Sequence, residues 1–311
     1  MLAYLARRLC GLVFVLFAVT LLTFVIGHAA PGDPIQLMLG THYDPAAYRR
    51  LVHFYGLDRP LPVQFVDYVW HIVRYGDFGY SFRYQDRSVT SLLLSALPVT
   101  LTIGVAALVL ATLIGVPIGA LAAARRDTAV DRGSMAAMLA LYSVPSFVLI
   151  PLVLAADIWL HDHGYPSLPV ANWGTLQQAV LPILILAAGS IAYIARLTRT
   201  TMVGVLQEDY IRTARSKGLP RSRIVGRHAL RPALLPVVTY LGPAIAGLIT
   251  GTFVVETIFN LPGVGFAAVT SLEARDYPVV QGATIIVAAL VVALNLAADL
   301  LYRLLDPRIR E

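Results

Sequence analysis

Apolar residues in this chain come in long runs separated by polar segments, with little of the alternation a soluble strand or helix shows. A helix that crosses a bilayer needs roughly 20 mostly apolar residues, because a hydrocarbon core of about 30 Å is climbed at 1.5 Å per residue. Six runs meet that length: Leu9 to about Ala30, the stretch within Ser88 to Ala124 (chiefly from Leu97), Ser134 to Ala156, Ala179 to Ala195, Pro232 to Val255, and Tyr277 to Ala298. The fourth is the shortest. Pro117, Pro145, Pro151, Pro182, Pro236 and Pro243 fall inside them. Such prolines break helices in water but are tolerated in a membrane bundle, where neighbouring helices satisfy the freed carbonyls. Strands of a membrane barrel would alternate polar and apolar positions, and these runs do not. The first run, preceded by Arg7 and Arg8, is longer between Leu9 and Ile26 than the roughly 7–15 residue core of a signal peptide. It reads as a retained anchor, although His28-Ala29-Ala30 would pass as a cleavage site.

Composition agrees. Hydrophobic residues make up 58% of the 311, charged residues only 14%, and mean hydropathy is +0.72, against about 25% charged in a soluble domain. The net charge of +6 does not point to nucleic acid, because the basic residues sit at the edges of apolar runs. With the N-terminus inside, the inner segments hold 17 of the 24 lysines and arginines, so the positive-inside rule places both termini in the cytoplasm. Cys10 is the only cysteine, which excludes an intrachain disulfide and a cysteine zinc cluster; following Arg7, Arg8 and Leu9, it reads as a buried thiol rather than a lipid attachment site.

Two polar segments carry the information about function. The first, Pro31 to Arg87, has six arginines against six aspartates and twelve Phe, Tyr or Trp residues between Tyr43 and Tyr84. A disordered linker is poor in aromatics, so short helices are expected there. Two readings stand: an interfacial aromatic belt, or a surface that receives something from outside. The second, Arg196 to Arg231, holds nine basic residues against Glu208 and Asp209. Met202, Leu206, Tyr210, Ile211 and Ala214 recur at helical spacing, Lys217-Gly218 makes a helix end, and Pro220 suits the first turn of a second helix. A helix–turn–helix with one apolar face free for docking is the expectation. Topology setting, anionic-lipid binding and partner docking are its three readings, and the ordered punctuation favours docking.

Ionisable residues in or near spans are candidates for function: Asp157 and His28 near outer ends, where they read as interfacial, Asp299 four residues from Arg303, which reads as a structural pair, and Glu256 beside Thr257 and Asn260. His161-Asp162-His163 is too sparse to suggest a metalloenzyme. The chain has no glycine-rich loop ending in Gly-Lys-Ser/Thr, so no site for the phosphates of ATP is expected. A self-contained secondary transporter, the other rival, would show inverted repeats or mid-membrane charges, and neither is seen.

Arg212-Thr213-Ala214, three residues, then Gly218 resembles the EAA loop of ABC importer permeases, without its first two residues but in the Arg-Thr-Ala-Arg-x-Lys-Gly form of the dipeptide, oligopeptide and nickel subgroup. His228 to Pro232 and Leu235-Pro236 look like its continuation. Elsewhere Ala30-Pro31-Gly32-Asp33-Pro34, Tyr55 to Gln64, Gly76 to Ser81, Leu97 to Leu101, Ser143 to Phe147, Val255 to Phe259, Leu261 to Gly265 and Asp306-Pro307-Arg308 are similar to the first permease of that subgroup, in order along nearly the whole chain. The resemblance implies an all-α integral membrane protein of the type I importer fold, with six spans and a long helical periplasmic segment between the first two. The expected organisation is a first span within 1–30, an external segment 31–96, a five-helix core 97–303 containing the coupling hairpin 201–231, and a tail 304–311.

It further implies a permease without its own ATPase site, in a bacterial inner membrane, passing peptides or else nickel, glutathione or another small solute. The implied partners are a homologous second permease, two cytoplasmic ATPases that hold ATP and magnesium, an external substrate-binding protein and the lipid bilayer; this chain is expected to hold no cofactor and to bind no nucleic acid. Glu208, Asp209, Tyr210, Arg212, Thr213, Ala214, Arg215 and Gly218 would form the coupling helix, with Arg212 meeting an ATPase carboxylate. Glu256 and Asn260 are candidates for an outer gate or pathway, with a cap or interhelical bond as the alternative for Glu256.

Overall fold

Backbone amides in hydrocarbon have no water to bond, so long apolar runs close their hydrogen bonds within themselves as helices, and every regular element among the described residues is helical apart from one isolated bridge, Tyr80 with Ser88. The computed structural model describes residues 2–29, 32–39, 44–84 and 87–305. In chain order the first elements are α1 (Leu2–Ala29), α2 (Pro34–Leu39), α3 (Pro45–Phe54), α4 (Leu61–Tyr75) and α5 (Val89–Ala124). Then come α6 (Ala129–Ser143), α7 (Ser146–Asp162), α8 (Leu176–Val205) and α9 (Asp209–Ser216). A short α10 (Arg221–Arg223) runs through a π-helical stretch (Ile224–Ala229) into α11 (Leu230–Ala233), followed by α12 (Leu235–Ile258), α13 (Val264–Glu273) and α14 (Tyr277–Leu305).

Among the described residues five helices are long and apolar enough to cross a membrane: Cys10–Ala29, Val89–Ala124, Leu176–Val205, Leu235–Ile258 and Tyr277–Ala298. The expected third span is a pair, α6 and α7, bent by 108° at its break, and counting it as one gives six. Proline explains the break. Pro145 disfavours helical backbone at Val144, which is extended at φ −90°, ψ 116°. The fourth span is not short: α8 has 30 residues, begun by a capping box between Thr175 and Gln178 and continued past Ala195 through Arg196 and Arg199 to Val205. The expectation of a brief segment followed hydropathy alone, and the helix outlasts its apolar run.

The chain forms two units: Met1–Thr100 with Asn260–Val292, and Leu101–Phe259 with Ala293–Glu311. In the first, Phe24 packs edge-on to Phe65 of α4 at 5.2 Å, and His28 lies on Phe24 while bonding Gln64 at 3.1 Å. Asp33 caps α2 through Ile35 N–H and accepts the Tyr48 hydroxyl at 2.6 Å. His53 bonds Asp58 at 2.8 Å, which holds that carboxyl below the usual carboxylate range. Asp276, fully buried ahead of α14, accepts bonds from the Ser81 hydroxyl, Phe82 N–H at 3.0 Å and Arg83 N–H at 3.3 Å. One buried carboxylate thus ties down the end of the segment between the first two spans. Those three short helices match the expectation for that segment, with Phe54, Trp70 and Tyr75 exposed. Cys10 is exposed rather than buried, because much of α1 presents apolar side chains such as Phe14, Leu22 and Ile26 outward, where lipid replaces protein as their neighbour.

In the second unit α8 is the centre, burying Ile185, Ala187, Ile191, Ile194 and Met202. Helix α5 approaches it through Gly115 and Gly119, a small-xxx-small spacing that lets helices in lipid come close. A methyl group on Gly115 would lie 2.9 Å from the Ile191 carbonyl oxygen, and one on Gly119 would meet the Ala195 carbonyl and lie 2.7 Å from Thr198 Cβ. Gly189, in the middle of α8, has open space. Gly119→Ala is therefore expected to destabilise the protein by about 1–3 kcal/mol through overpacking, while Gly189→Ala is neutral or stabilising by up to about 1 kcal/mol through helix propensity. Thermal unfolding in detergent checks the opposite signs.

Candidate functional site

The basic segment folds as a hairpin wholly within the second unit. Helix α8 closes with Leu206 N–H on Met202 O, then Gln207 and Glu208 make single turns before α9 starts at Asp209. Met202 and Leu206 therefore belong to the end of α8 and its turn, not to one continuous helix with Tyr210 and Ala214. Glu208 takes the extended N-cap conformation, and its carbonyl accepts from Ile211 and Arg212 N–H. Asp209 in the first turn and Arg215 in the last match the helix dipole. The end of α9 is a Schellman motif: Gly218 N–H bonds Arg215 O at 2.9 Å and Leu219 N–H bonds Ala214 O at 3.3 Å. That motif needs a left-handed residue after the cap, and Gly218 supplies it at φ 73°.

Ile211 and Ala214 are buried, and with Met202, Ile224, Ala229, Ala233 and Ala123 they form one apolar cluster. The expected free apolar face is thus closed inside this chain; two short helices cannot stand without a core, and the hairpin uses that face to make one. What α9 presents outward is polar: Asp209, Arg212, Thr213 and Arg215, with Tyr210 about half exposed. Arg212 lies 3.3 Å from Asp209 at i, i+3 spacing, both side chains largely in solvent. Burial and the Glu208 charge push the Tyr210 phenol up. The returning arm differs from the simple helix expected. Pro220 is its N-cap rather than a first-turn residue, and Ile224–Ala229 is π-helical, a local overwidening often found at functional positions. Arg221 donates to the Ala124 carbonyl at the end of α5, and the Thr201 hydroxyl donates to Ala233 O at 3.0 Å. A cavity of about 570 Å³ adjoins the hairpin, lined by residues that include Ala124, Arg126, Leu206, Arg215 and Arg221.

The other expected residues are scattered. Glu256 is fully buried on α12, and Asn260 is exposed at φ 51°, a left-handed residue just after that helix ends at its Phe259 cap. Asp157, expected at an interface, is buried and accepts Leu168 N–H at 3.2 Å, so it fastens the loop after α7. His161, Asp162 and His163 are exposed, and among the described residues no group of His, Cys, Asp and Glu is placed to hold a metal. The Asp299 and Arg303 side chains and the Asp306-Pro307-Arg308 ending lie outside the described residues.

Sequence reasoning missed Asp131. It is 2% exposed, accepts Arg199 Nε at 2.9 Å and Nη2 at 2.7 Å in a fork, and takes the Asp127 N–H at 3.0 Å. A carboxylate just before an apolar run, behind Arg125, Arg126 and Asp127, was the available signal.

Comparison with known proteins covers the whole chain. Residues 1–104 match a family described as binding-protein-dependent transport system membrane component, N-terminal, and residues 115–311 one described as binding-protein-dependent transport system inner membrane component. The chain is 38% identical over 340 aligned positions to the dipeptide transport system permease protein of Escherichia coli K12, spanning 100% of this chain and 99% of that protein. It is 39% identical over 310 positions to the dipeptide transport system permease protein of Bacillus subtilis 168, spanning 99% and 97%. It is 41% identical over 314 positions to the oligopeptide transport system permease protein of E. coli K12, spanning 100% of both.

The burial pattern separates what builds the hairpin from what it displays. Ile211→Ala removes a fully buried side chain and is expected to cost about 2–4 kcal/mol, seen as faster tryptic cleavage among Arg212, Arg215 and Lys217. Arg212→Ala leaves cleavage at the remaining basic sites within about twofold of the parent, because surface changes stay within about 0.5 kcal/mol.

Proposed function

This chain belongs to the binding-protein-dependent transport system inner membrane component family, and from that premise we propose that it is the permease subunit of an ATP-driven importer of dipeptides or oligopeptides. The observation that carries the peptide assignment is end-to-end likeness to permeases named for dipeptide and oligopeptide transport. In this reading the chain forms half of a pathway across a bacterial inner membrane beside a second permease, receives substrate from a binding protein outside, and holds no nucleotide itself. ATP and magnesium belong to two ATPases on the inner side. The bias of basic residues supports both termini lying there.

The hairpin supports the coupling role by its construction. Its apolar residues are spent on its own core, so it moves as one body with the end of α8, to which Met202 and Thr201 join it. Its outward face is a set of charges, with Tyr210 among them, suited to a polar cleft on a partner rather than to lipid tails. Nucleotide-driven closure of the ATPases displaces the hairpin and, through α8, the bundle; a rigid link of this kind transmits a two-state change without a large internal rearrangement. Glu208, Asp209, Tyr210, Arg212, Thr213 and Arg215 make the contact; Ala214 and Gly218 shape it.

Purification of the tagged chain from native membranes in mild detergent tests this. The expected result is recovery of a second permease and an ATPase, with Arg212→Glu lowering ATPase recovery roughly tenfold or more, as loss of an interface charge hot spot does, and leaving the second permease in place. Recovery of the chain alone, or ATPase recovery indifferent to Arg212→Glu and Gly218→Pro, contradicts the reading.

A further inference from the structure

Arg196 is exposed on α8 beside the Asp131–Arg199 pair. It lies on α8 about 20 residues after Leu176, roughly 30 Å along the helix axis and so near the far edge of the hydrocarbon. Three residues on, Arg199 has its counter-charge in Asp131, and both oxygens of that carboxylate are already taken by Arg199 and the Asp127 amide. Among the described residues no carboxylate lies within ion-pair distance of Arg196. Its guanidinium rests instead against two rings, 5.4 Å from the Tyr142 centroid and 5.6 Å from that of Tyr193. Tyr193 stacks in turn on Tyr240 of α12 at 4.2 Å. Faces of tyrosine orient a cation without neutralising it.

This cation opens onto space. A cavity of about 550 Å³ is lined by Arg196, Arg132, Arg199 and Asp131 with apolar walls from Met135, Met138 and Leu139, a volume inside the range of about 300–1,000 Å³ for small-ligand sites. Its charged lining is three arginines against one aspartate. Tyr142 also borders a second cavity of about 400 Å³, set at the α6–α7 bend between Pro145, Ser146, Gly189, Tyr240 and Gly247. Tyr142 therefore borders both a cationic cavity and a largely apolar one made where Pro145 breaks the span. An ionisable side chain on a spanning helix that faces a cavity is a candidate for function.

We propose that Arg196, resting against Tyr142 and Tyr193, binds the C-terminal carboxylate of the peptide in transit. The inference rests on the peptide reading above and goes further by naming the substrate group that this chain recognises. A guanidinium meets a carboxylate through two parallel N–H···O bonds, and the apolar walls accept side chains of varied shape, so the site reads the common end of every peptide rather than its sequence.

The test uses the complete transporter, with its partner permease, ATPases and binding protein, in vesicles of neutral phosphatidylcholine and in parallel vesicles with phosphatidylglycerol. A dipeptide with a free C-terminus and its C-terminal amide are the probes. Arg196→Gln is expected to lower uptake of the free acid about tenfold, the size of a lost charge-assisted bond, in both lipids and with normal subunit assembly, while the acid-to-amide preference falls towards one and Arg196→Lys keeps most of it. In a Cys10→Ser background, Arg196→Cys regains free-acid uptake after a cationic methanethiosulfonate and not after a neutral one; that arm decides alone if the binding protein excludes the amide. Unchanged uptake by Arg196→Gln, equal loss for acid and amide without cationic rescue, or a loss confined to vesicles with phosphatidylglycerol, which would make it a lipid site, overturns the inference. A parent complex that carries no peptide at all sinks the peptide reading instead.

Discussion

The pairing of Asp131 with Arg199 is the interaction on which the second unit turns. A carboxylate that is 2% exposed survives only because a forked guanidinium and a backbone amide saturate it. The pair clamps the start of α6 to α8, and α8 is also the helix that α5 meets through Gly115 and Gly119 and that leads into the basic hairpin. With Asp131 occupied, Arg196 is left facing tyrosine rings and a cavity. One buried ion pair thus fixes a scaffold and, by using up the one carboxylate that lines this cavity among the described residues, leaves a charge available for something else.

The division of labour inside the hairpin follows from its size. Eight residues of α9 cannot hold a helix in water on propensity alone, so Ile211 and Ala214 go inward against Met202 and Ile224, and the Schellman end at Gly218 fixes the direction of return. The outward surface is then charged by default. An element made this way has its own core, is polar outside and is packed on the end of a long helix, which are the properties a part needs if it is to carry motion from a partner into a membrane bundle.

Much of this was legible in the chain. Hydropathy located five spans, and a sixth if the bent pair α6 and α7 is counted as one, because lipid demands long apolar runs and little else produces them, and the pair Lys217-Gly218 announced the turn that Gly218 makes at φ 73°. Three things were hidden. The break at Pro145 reads as one more tolerated proline, since only the extended backbone of Val144 separates a kink from a 108° bend. The length of α8 was masked by arginines that end an apolar run without ending a helix. Burial of Asp131 and Asp276 depends on partners far away in sequence, Arg199 in one unit and Ser81 to Arg83 in the other, and no local pattern reports such pairs. The apolar face of α9 was visible as a periodicity, but a periodicity does not say whether the chain itself or a partner covers it.

The account stands or falls on transport by an assembled machine. The most direct measurement is uptake of a labelled dipeptide into vesicles holding this chain with the second permease and ATPases recovered alongside it, with binding protein outside and ATP sealed within. The account predicts accumulation that requires both binding protein and ATP and is abolished when either is omitted. Accumulation by this chain alone, or driven by an ion gradient without ATP, would contradict it.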